Sequence, residues 1–301
     1  MLDKLEFLLL LARERHFGRA AEAAGVTQPT FSSAVKALED NLGTALVERG
    51  SRFRGFTPEG ERVLEWARRL VGDARTMRQE LQSLKGSLSG RLRIGAIPTT
   101  LPFVPHLTVP FHTQYPGVRL SVFSATSTEI LVRLENLELE AGISYIENEP
   151  IGRLSAIELY QEQYMLLVST RSPLAQRKEM TWSEVAKLPL CLLTPDTQSR
   201  RIIDEVLEVH GGQHGPTFES NSMMTLFTHV RAGKGMTIMP TRLIDTLARP
   251  RQLKPIPLVS PRVTKSIGLL VRGREPYAPV VSAFLAIARR AIGNVKLERE
   301  A

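Results

Sequence analysis

The stretch FGRAAEAAGVTQPTFSSAVKALE, residues 17–39, decides the fold of the N-terminal part of the chain. Residues 18–24 are alanine-rich and helix-prone, and Gly25 ends that helix as a C-terminal glycine does. Thr27 can cap the next helix, with Pro29 in its first turn, where a missing N–H costs little. This second helix is expected to run to about Asn41 and to end before Gly43. Ala21 is small where the helices cross, Gly25 makes the turn, and Val26, Phe31 and Val35 are apolar anchors. That is helix-turn-helix spacing, and it leaves Gln28, Pro29, Thr30, Ser33 and Lys36 on the exposed face of the second helix. Gln can read adenine bidentately, Ser and Thr reach bases or phosphates, and Lys reaches guanine or phosphate. An ordinary helical hairpin has similar spacing. The basic turn RGSRFRGF that follows tips the balance toward DNA, with Arg49, Arg52 and Arg54 placed to run along phosphates or into the minor groove.

Working outward, residues 2–15 carry a dense apolar stripe and read as a buried helix. A further cap at Thr57-Pro58-Glu59 opens a long helix expected to reach about Leu88. Val63, Ala67, Leu70, Ala74, Met77, Leu81, Leu84 and Leu88 recur at 4-3-4-3-4-3-4, the spacing of a coiled-coil seam. A partner helix, and hence an oligomer, is expected. The small, polar run Gly86-Ser87-Leu88-Ser89-Gly90 is the best domain boundary. Beyond it, strand candidates at 92–97, 119–124, 139–145, 164–169, 190–193, 217–219, 236–239 and 266–271 alternate with helices. The clearest helices are 127–137, 199–210, 222–232, 240–248 and 277–291, so an α/β region with largely parallel sheets is expected, divided into two subdomains.

The chain has 301 residues, 43% hydrophobic and 23% charged, which excludes a disordered or collagen-like protein. No apolar run approaches the ~18–20 residues that cross a bilayer. The apolar run 8–12 is too short for a signal-peptide core. Cys191 is the one cysteine, which excludes an intrachain disulfide and fits a reducing cytoplasm, the expected location. Cys191 falls in a candidate buried strand, so core packing outweighs redox sensing. The net charge of +8 is unevenly placed. Residues 1–60 hold eight basic and eight acidic side chains, whereas 231–274 hold ten basic residues against Asp245. DNA affinity must therefore come from where Lys36, Arg49, Arg52 and Arg54 stand. Catalytic signals are missing: there is no GxSxG, Walker loop or CxxC, and Gly211 and Gly212 break the helix that would align His210 with His214. No enzyme activity, cofactor or metal is expected.

With these pieces in place, the chain resembles the LysR-type transcriptional regulators. The resemblance rests on FGRAAEAAGVTQPTFS, LEDNLG, LVERG and FTPEGE within residues 2–65, and on the seam helix at 59–88. RLRIGAIPTTLPFVPHL, FHTQYPGVRLSV and RAGKGMTIMP carry it through the rest of the chain. Two features depart from the family pattern. Ser32-Ser33 stands where Ser-Arg is common, and 137–140 reads LELE where Gly-x-Leu-Asp is usual.

The resemblance implies a winged helix-turn-helix at 1–58, a dimerising linker helix at 59–88 and a two-lobed α/β effector domain like periplasmic binding proteins. Lobe I would take 91–162 and 267–301, and lobe II 163–266. Ligands of such folds sit at strand C-terminal ends, where helix N-termini present free N–H groups to an anion. Here those ends carry Thr99 and Thr100, Thr126 and Thr128, Thr194 with Thr197-Gln198, and Asn221 with Met223. A small anion, a carboxylate, is the expected effector, and RHFGRAAEAAGVTQP with RGSRFRGFTPEGERVLEWARR looks closest to regulators of formate dehydrogenase operons. The implied partners are double-stranded operator DNA, a second copy or three in a homodimer or homotetramer, and RNA polymerase. No membrane is implied. The alternatives are a two-lobed solute-binding protein and a ligand-binding enzyme carrying a DNA-binding module.

Overall fold

A computed structural model describes residues 1–48, 53–84, 86–147, 151–212, 215–246, 252–273 and 275–300, with side chains to 292. The chain divides into two compact units, one built mainly on Met1–Leu88 and the other on the chain from Ser89 onward.

In the first unit, α1 (Leu2–Glu14) buries Leu5, Leu8, Leu9 and Leu11. α2 (Phe17–Ala23) buries Ala20 and Ala21, which lets its backbone approach its neighbours closely. Gly25 makes the turn at φ 69°, a left-handed conformation that glycine adopts without strain. Thr27 caps α3 (Gln28–Leu42), its hydroxyl accepting from the Thr30 N–H at 3.4 Å, and Pro29 lies in the first turn. Phe31, Val35 and Leu38 of α3 are buried at 0%, 3% and 0% exposure, with Phe31 stacked on Phe7 at 4.9 Å. Thr57 caps α4 (Pro58–Ser83), accepting from Gly60 N–H at 3.0 Å and donating to Ala45 O at 2.7 Å. A Cβ on Gly60 would lie 2.0 Å from Leu46 O, so only glycine permits this approach.

The expected seam divides. Leu64, Ala67 and Val71 are buried, so Ala67 belongs to the core of its own domain, while Trp66, Leu70, Met77, Leu81 and Leu84 are exposed. α4 ends at Ser83 with Leu84 as its C-cap, short of Leu88.

The second unit holds a mixed sheet in the order β2-β1-β3-β10-β4-β9-β5, with β8 also paired to β4. Its strands are β1 (Gly90–Ala96), β2 (Val118–Ser124), β3 (Ala141–Tyr145), β4 (Leu154–Ser169), β5 (Met180–Thr181), β8 (Thr237–Pro240), β9 (Leu253–Val259) and β10 (Thr264–Arg272). A second, parallel pair joins β6 (Cys191–Leu193) to β7 (Phe218–Ser220). β1 runs parallel to β2 and β3, and β10 runs antiparallel to β3 and β4. β4 changes partners along its length. Residues 154–163 pair with β10, and the strand from Tyr164 on pairs with β8 and β9.

Two cores result. One gathers Ile94, Phe111, Ile130, Ile143, Leu269 and Phe284, with the Phe111 and Phe284 rings edge-to-face at 5.4 Å. The other gathers Leu167, Cys191, Met223, Phe227, Val230 and Met239. The helices of this unit are α5 (Pro105–Gln114), α6 (Ser127–Glu135), α7 (Trp182–Val185), α8 (Gln198–Val209), α9 (Met223–Arg231), α10 (Thr241–Thr246) and α11 (Pro279–Glu300). At the unusual LELE segment, Leu137 adopts φ 62°, and Glu140 holds Arg93 through its backbone N–H at 2.7 Å and its guanidinium at 2.6 Å. No described helix is long and apolar enough to cross a membrane.

Candidate nucleic-acid interface and effector cleft

On the first unit, α3 presents Gln28, Pro29, Thr30, Ser33 and Lys36 to solvent, while its opposite face is locked by Phe31, Val35 and Leu38. The Thr30 hydroxyl lies 2.9 Å from that of Thr27, so the residue that caps the helix also orients a candidate base contact. The following hairpin is marked by an antiparallel bridge between Val47 and Phe56 and by Glu48 N–H donating to Gly55 O at 3.0 Å. Glu39 fastens this hairpin to α3, one carboxylate oxygen accepting from the N–H groups of Leu46 and Val47 at 2.7 and 3.1 Å. Sequence reasoning gave Glu39 no role, because a helix-surface glutamate has no distinguishing pattern. Phe53 packs edge-on to Phe56 and Phe17, which anchors the base of the hairpin to α2. Arg54 is exposed on it, and Arg49 and Arg52 lie outside the described residues.

On the second unit, a small cleft with a cavity volume of about 10 Å³, partly open to solvent, forms where strands end and helices begin. Ile97, Pro98 and Thr99 follow β1, Thr126 and Ser127 open α6, and Leu193, Thr197, Gln198 and Ser199 join β6 to α8. Two of its polar atoms are orphaned: Thr99 Oγ1 and Gln198 Oε1, on residues 3% and 4% exposed, have no hydrogen-bond partner among the described residues. The helix ends differ. Thr126 caps α6 fully, its N–H and hydroxyl donating to Glu129 at 2.8 and 3.0 Å and its oxygen accepting from Glu129 N–H at 3.3 Å. Thr197 instead donates its hydroxyl to Thr194 O at 2.9 Å, and α8 has no side-chain cap. The first-turn N–H groups of α8 therefore keep the unsatisfied donors and positive dipole end that attract an anion.

Of the residues proposed from sequence, Thr99 and Thr126 line this cleft together with Thr197 and Gln198. The others fall elsewhere. Thr100 is fully buried and donates to Ile97 O at 3.0 Å, so its hydroxyl closes the turn. Thr128 is exposed on α6, and Asn221 is exposed ahead of α9. Met223 packs in the core with Leu226 and Phe227. Thr194 contributes its backbone oxygen to Thr197 and is not among the lining residues. Ser199 was missed, because a serine one place inside a helix resembles any first-turn residue. Cys191 is 1% exposed, and burial pushes its thiol up from the ordinary value. A Cβ on Gly235 would lie 2.5 Å from its sulfur, so the thiol is closely covered.

Comparison with known proteins decides the family. Residues 2–61 match the bacterial regulatory helix-turn-helix protein family described as lysR, and residues 85–293 match the LysR substrate binding domain. The chain is a LysR-type transcriptional regulator. The regulator is 28% identical over 285 residues to the DNA-binding transcriptional dual regulator OxyR of Escherichia coli K12, covering 94% of this chain and 92% of that one. It is 30% identical over 273 residues to a probable hydrogen peroxide-inducible genes activator of Mycobacterium avium, covering 89% of this chain and 86% of that one. Among solved structures, a full-length OxyR variant of Pseudomonas aeruginosa superposes with a TM-score of 0.76 at 29% identity, covering 97% of this chain and 94% of that one. The regulator thus carries a DNA-binding head and an effector-binding domain of two α/β lobes.

Proposed function

We propose that this regulator reads operator half-sites with α3 and is switched by a small carboxylate, formate being the first choice, held in the cleft between lobes that divide near residues 163 and 266. The observation that carries the effector reading is the pair of buried, unpartnered atoms, Thr99 Oγ1 and Gln198 Oε1, beside the uncapped start of α8. A buried polar group without a partner costs about 1–3 kcal/mol, so a ligand that accepts from the Thr99 hydroxyl recovers that energy only while bound. Carboxylate oxygens fit the Thr99 hydroxyl and the α8 N–H groups, and a water carried in with the anion fits the Gln198 oxygen. In this reading Gln28, Pro29, Thr30, Ser33 and Lys36 enter the major groove. Arg49, Arg52 and Arg54 follow the phosphates, and a homodimer or homotetramer in the cytoplasm acts on RNA polymerase. The anion changes the spacing of the heads only through a difference in its affinity for the two lobe arrangements.

The peroxide named for the relatives is a poorer fit. Peroxide chemistry runs through accessible thiolates of lowered pKa, and Cys191 is covered, with its pKa raised.

Calorimetry with sodium formate tests the effector reading. Three heavy atoms at about 1.5 kcal/mol each limit the affinity to roughly millimolar, and Thr99→Val should abolish the heat at the same concentration. Silence of the unmodified protein toward formate and acetate at tens of millimolar overturns it. For the head, Gln28→Ala should cost about 1–3 kcal/mol on operator and little on random DNA. Equal losses on both, in gel shift at fixed salt, contradict a base-reading role.

A further inference from the structure

The basic stretch 231–274 belongs neither to the head nor to the residues that line the cleft. The fold gathers part of it at one end of the second unit. α9 stops at Arg231, and a turn through Gly233 at φ 84° and Gly235 at φ 75° carries the chain past Lys234 into β8. β4 arrives there from the other direction, since Leu167 pairs with Thr237 of β8 and Val168 with Lys254 of β9. Just past its end, Thr170 N–H donates to Gln252 O at 2.9 Å, and Arg171 donates through Nη2 to Ala232 O at 3.4 Å. Arg171, Arg231, Lys234 and Lys254 are thereby brought to one surface, and all four are exposed. The segments that form it, 163–171, 229–237 and 252–257, contain no acidic residue. None of the four cations is in an ion pair among the described residues. This surface lies away from the cleft. Leu190 bridges Met236 in parallel, so Lys234 stands before the start of β6, whereas the cleft lies beyond its end at Leu193.

We propose that this surface is a second DNA contact, which holds phosphates of the duplex outside the half-sites without reading bases. It rests on the DNA binding of the family and is independent of the effector reading. A local role accounts for only part of the cluster. Arg231 stands at the negative end of the α9 dipole, and Arg171 serves a carbonyl of the same helix end. Lys234 and Lys254 make no side-chain hydrogen bond among the described residues. Cations spread over three chain segments on an open surface suit a line of repeated phosphates. A single small anion needs donors that converge on it. The same segments expose no large apolar side chain, the kind of centre around which protein interfaces are built. The head balances eight basic against eight acidic side chains over residues 1–60, so phosphate contacts elsewhere in the chain add to its hold on DNA.

The full-length regulator carrying Lys234→Ala and Lys254→Ala tests this, because truncating exposed lysines leaves a fold intact. Gel shifts between about 50 and 200 mM salt compare a duplex holding the half-sites alone with one extended by flanking DNA on both sides. On the extended duplex the unmodified protein should bind more tightly and with the steeper salt dependence. The double variant should lose that gain, its log–log slope smaller by about 0.9 for each lysine that meets a phosphate. For one subunit in contact, the ratio of the two affinities should then change about tenfold across this salt range. On the short duplex the two proteins should bind alike. Gln28→Ala should weaken both duplexes and keep the difference between them, which separates a failure of the flanking contact from a failure of the base-reading helix. Lys234→Cys carrying an aryl azide should crosslink to the flanking DNA on illumination, the natural Cys191 being covered. Equal slopes on the extended duplex, an equal loss on both duplexes, or no crosslink overturns the proposal. Unchanged DNA binding with loss of transcriptional output assigns the surface to an acidic protein instead and overturns it as well.

Discussion

Replacing Phe31 by Ala is expected to remove a large part of the stability of the DNA-binding head while leaving the effector unit able to bind its ligand. Phe31 is fully buried at the centre of the first core, stacked on Phe7 at 4.9 Å and edge-on to Phe17 at 6.3 Å. Truncation of a buried phenylalanine costs about 3–5 kcal/mol through lost transfer energy and the cavity left behind. That compares with a whole-domain stability of about 5–15 kcal/mol. Because the exposed face of α3 is held in place by the same residue that anchors its back, operator binding should be lost together with structure. Hydrogen exchange resolved along the chain checks this: residues 1–83 should lose protection, whereas β1, β3 and β10 should keep it. Phe31→Leu, which refills most of the volume, should recover most of the protection. A cost below about 1 kcal/mol for the alanine variant would mean that the helix is held by something other than this core.

The head was legible because its signals are local. Gly25 at φ 69°, Thr27 as cap and Pro29 in the first turn are each set by neighbours one to three residues away. Once they fix the helix start, the helical period assigns every later side chain to a face. The wing's attachment was not legible, since Glu39 meets Leu46 and Val47 only after the chain has turned back.

The effector unit was read unevenly for the same reason. Residues 154–163 of β4 contain Glu158, Gln161, Glu162 and Gln163 and look polar, yet this half pairs with β10. β9 carries Pro255 and Pro257, a strand-breaking signal from sequence. The prolines are two residues apart, so their missing N–H groups fall on one edge of the strand. In the cleft, every threonine or asparagine before a helix looks the same in sequence. Thr126 caps its own helix, Thr197 turns to Thr194, Thr99 is left with an unpaired oxygen, and Asn221 is exposed. Such rotamer choices depend on contacts among distant segments. The sequence located strand ends that line the cleft, and the fold selected among their residues.

The double variant Leu70→Glu, Leu81→Glu should turn the regulator into a monomer with its head still folded. Scattered exposed apolar residues are ordinary on a protein surface. Trp66, Leu70, Met77, Leu81 and Leu84 differ because they recur along one helix at steps of four or three residues, or their sum, each at least 47% exposed. Ala74, half-buried, completes the row between Leu70 and Met77. Leu64, Ala67 and Val71 already satisfy the packing of α4 against its own domain, so this second stripe is surplus to the fold of a single chain. Covering it with the same stripe of a second copy buries like against like, as a two-fold interface requires. Glutamates at two of its positions bring four carboxylates together in such a dimer. In the monomer they face water, where surface substitutions shift stability by about 0.5 kcal/mol at most. Sedimentation equilibrium should therefore show the mass falling to that of one chain, with thermal unfolding of the head unchanged. Operator affinity should fall by about 10²–10⁴, because two half-sites are then bound by independent particles instead of one tethered pair. An unchanged mass would place the interface away from α4, and a monomer that kept full operator affinity would mean that a single head suffices for recognition.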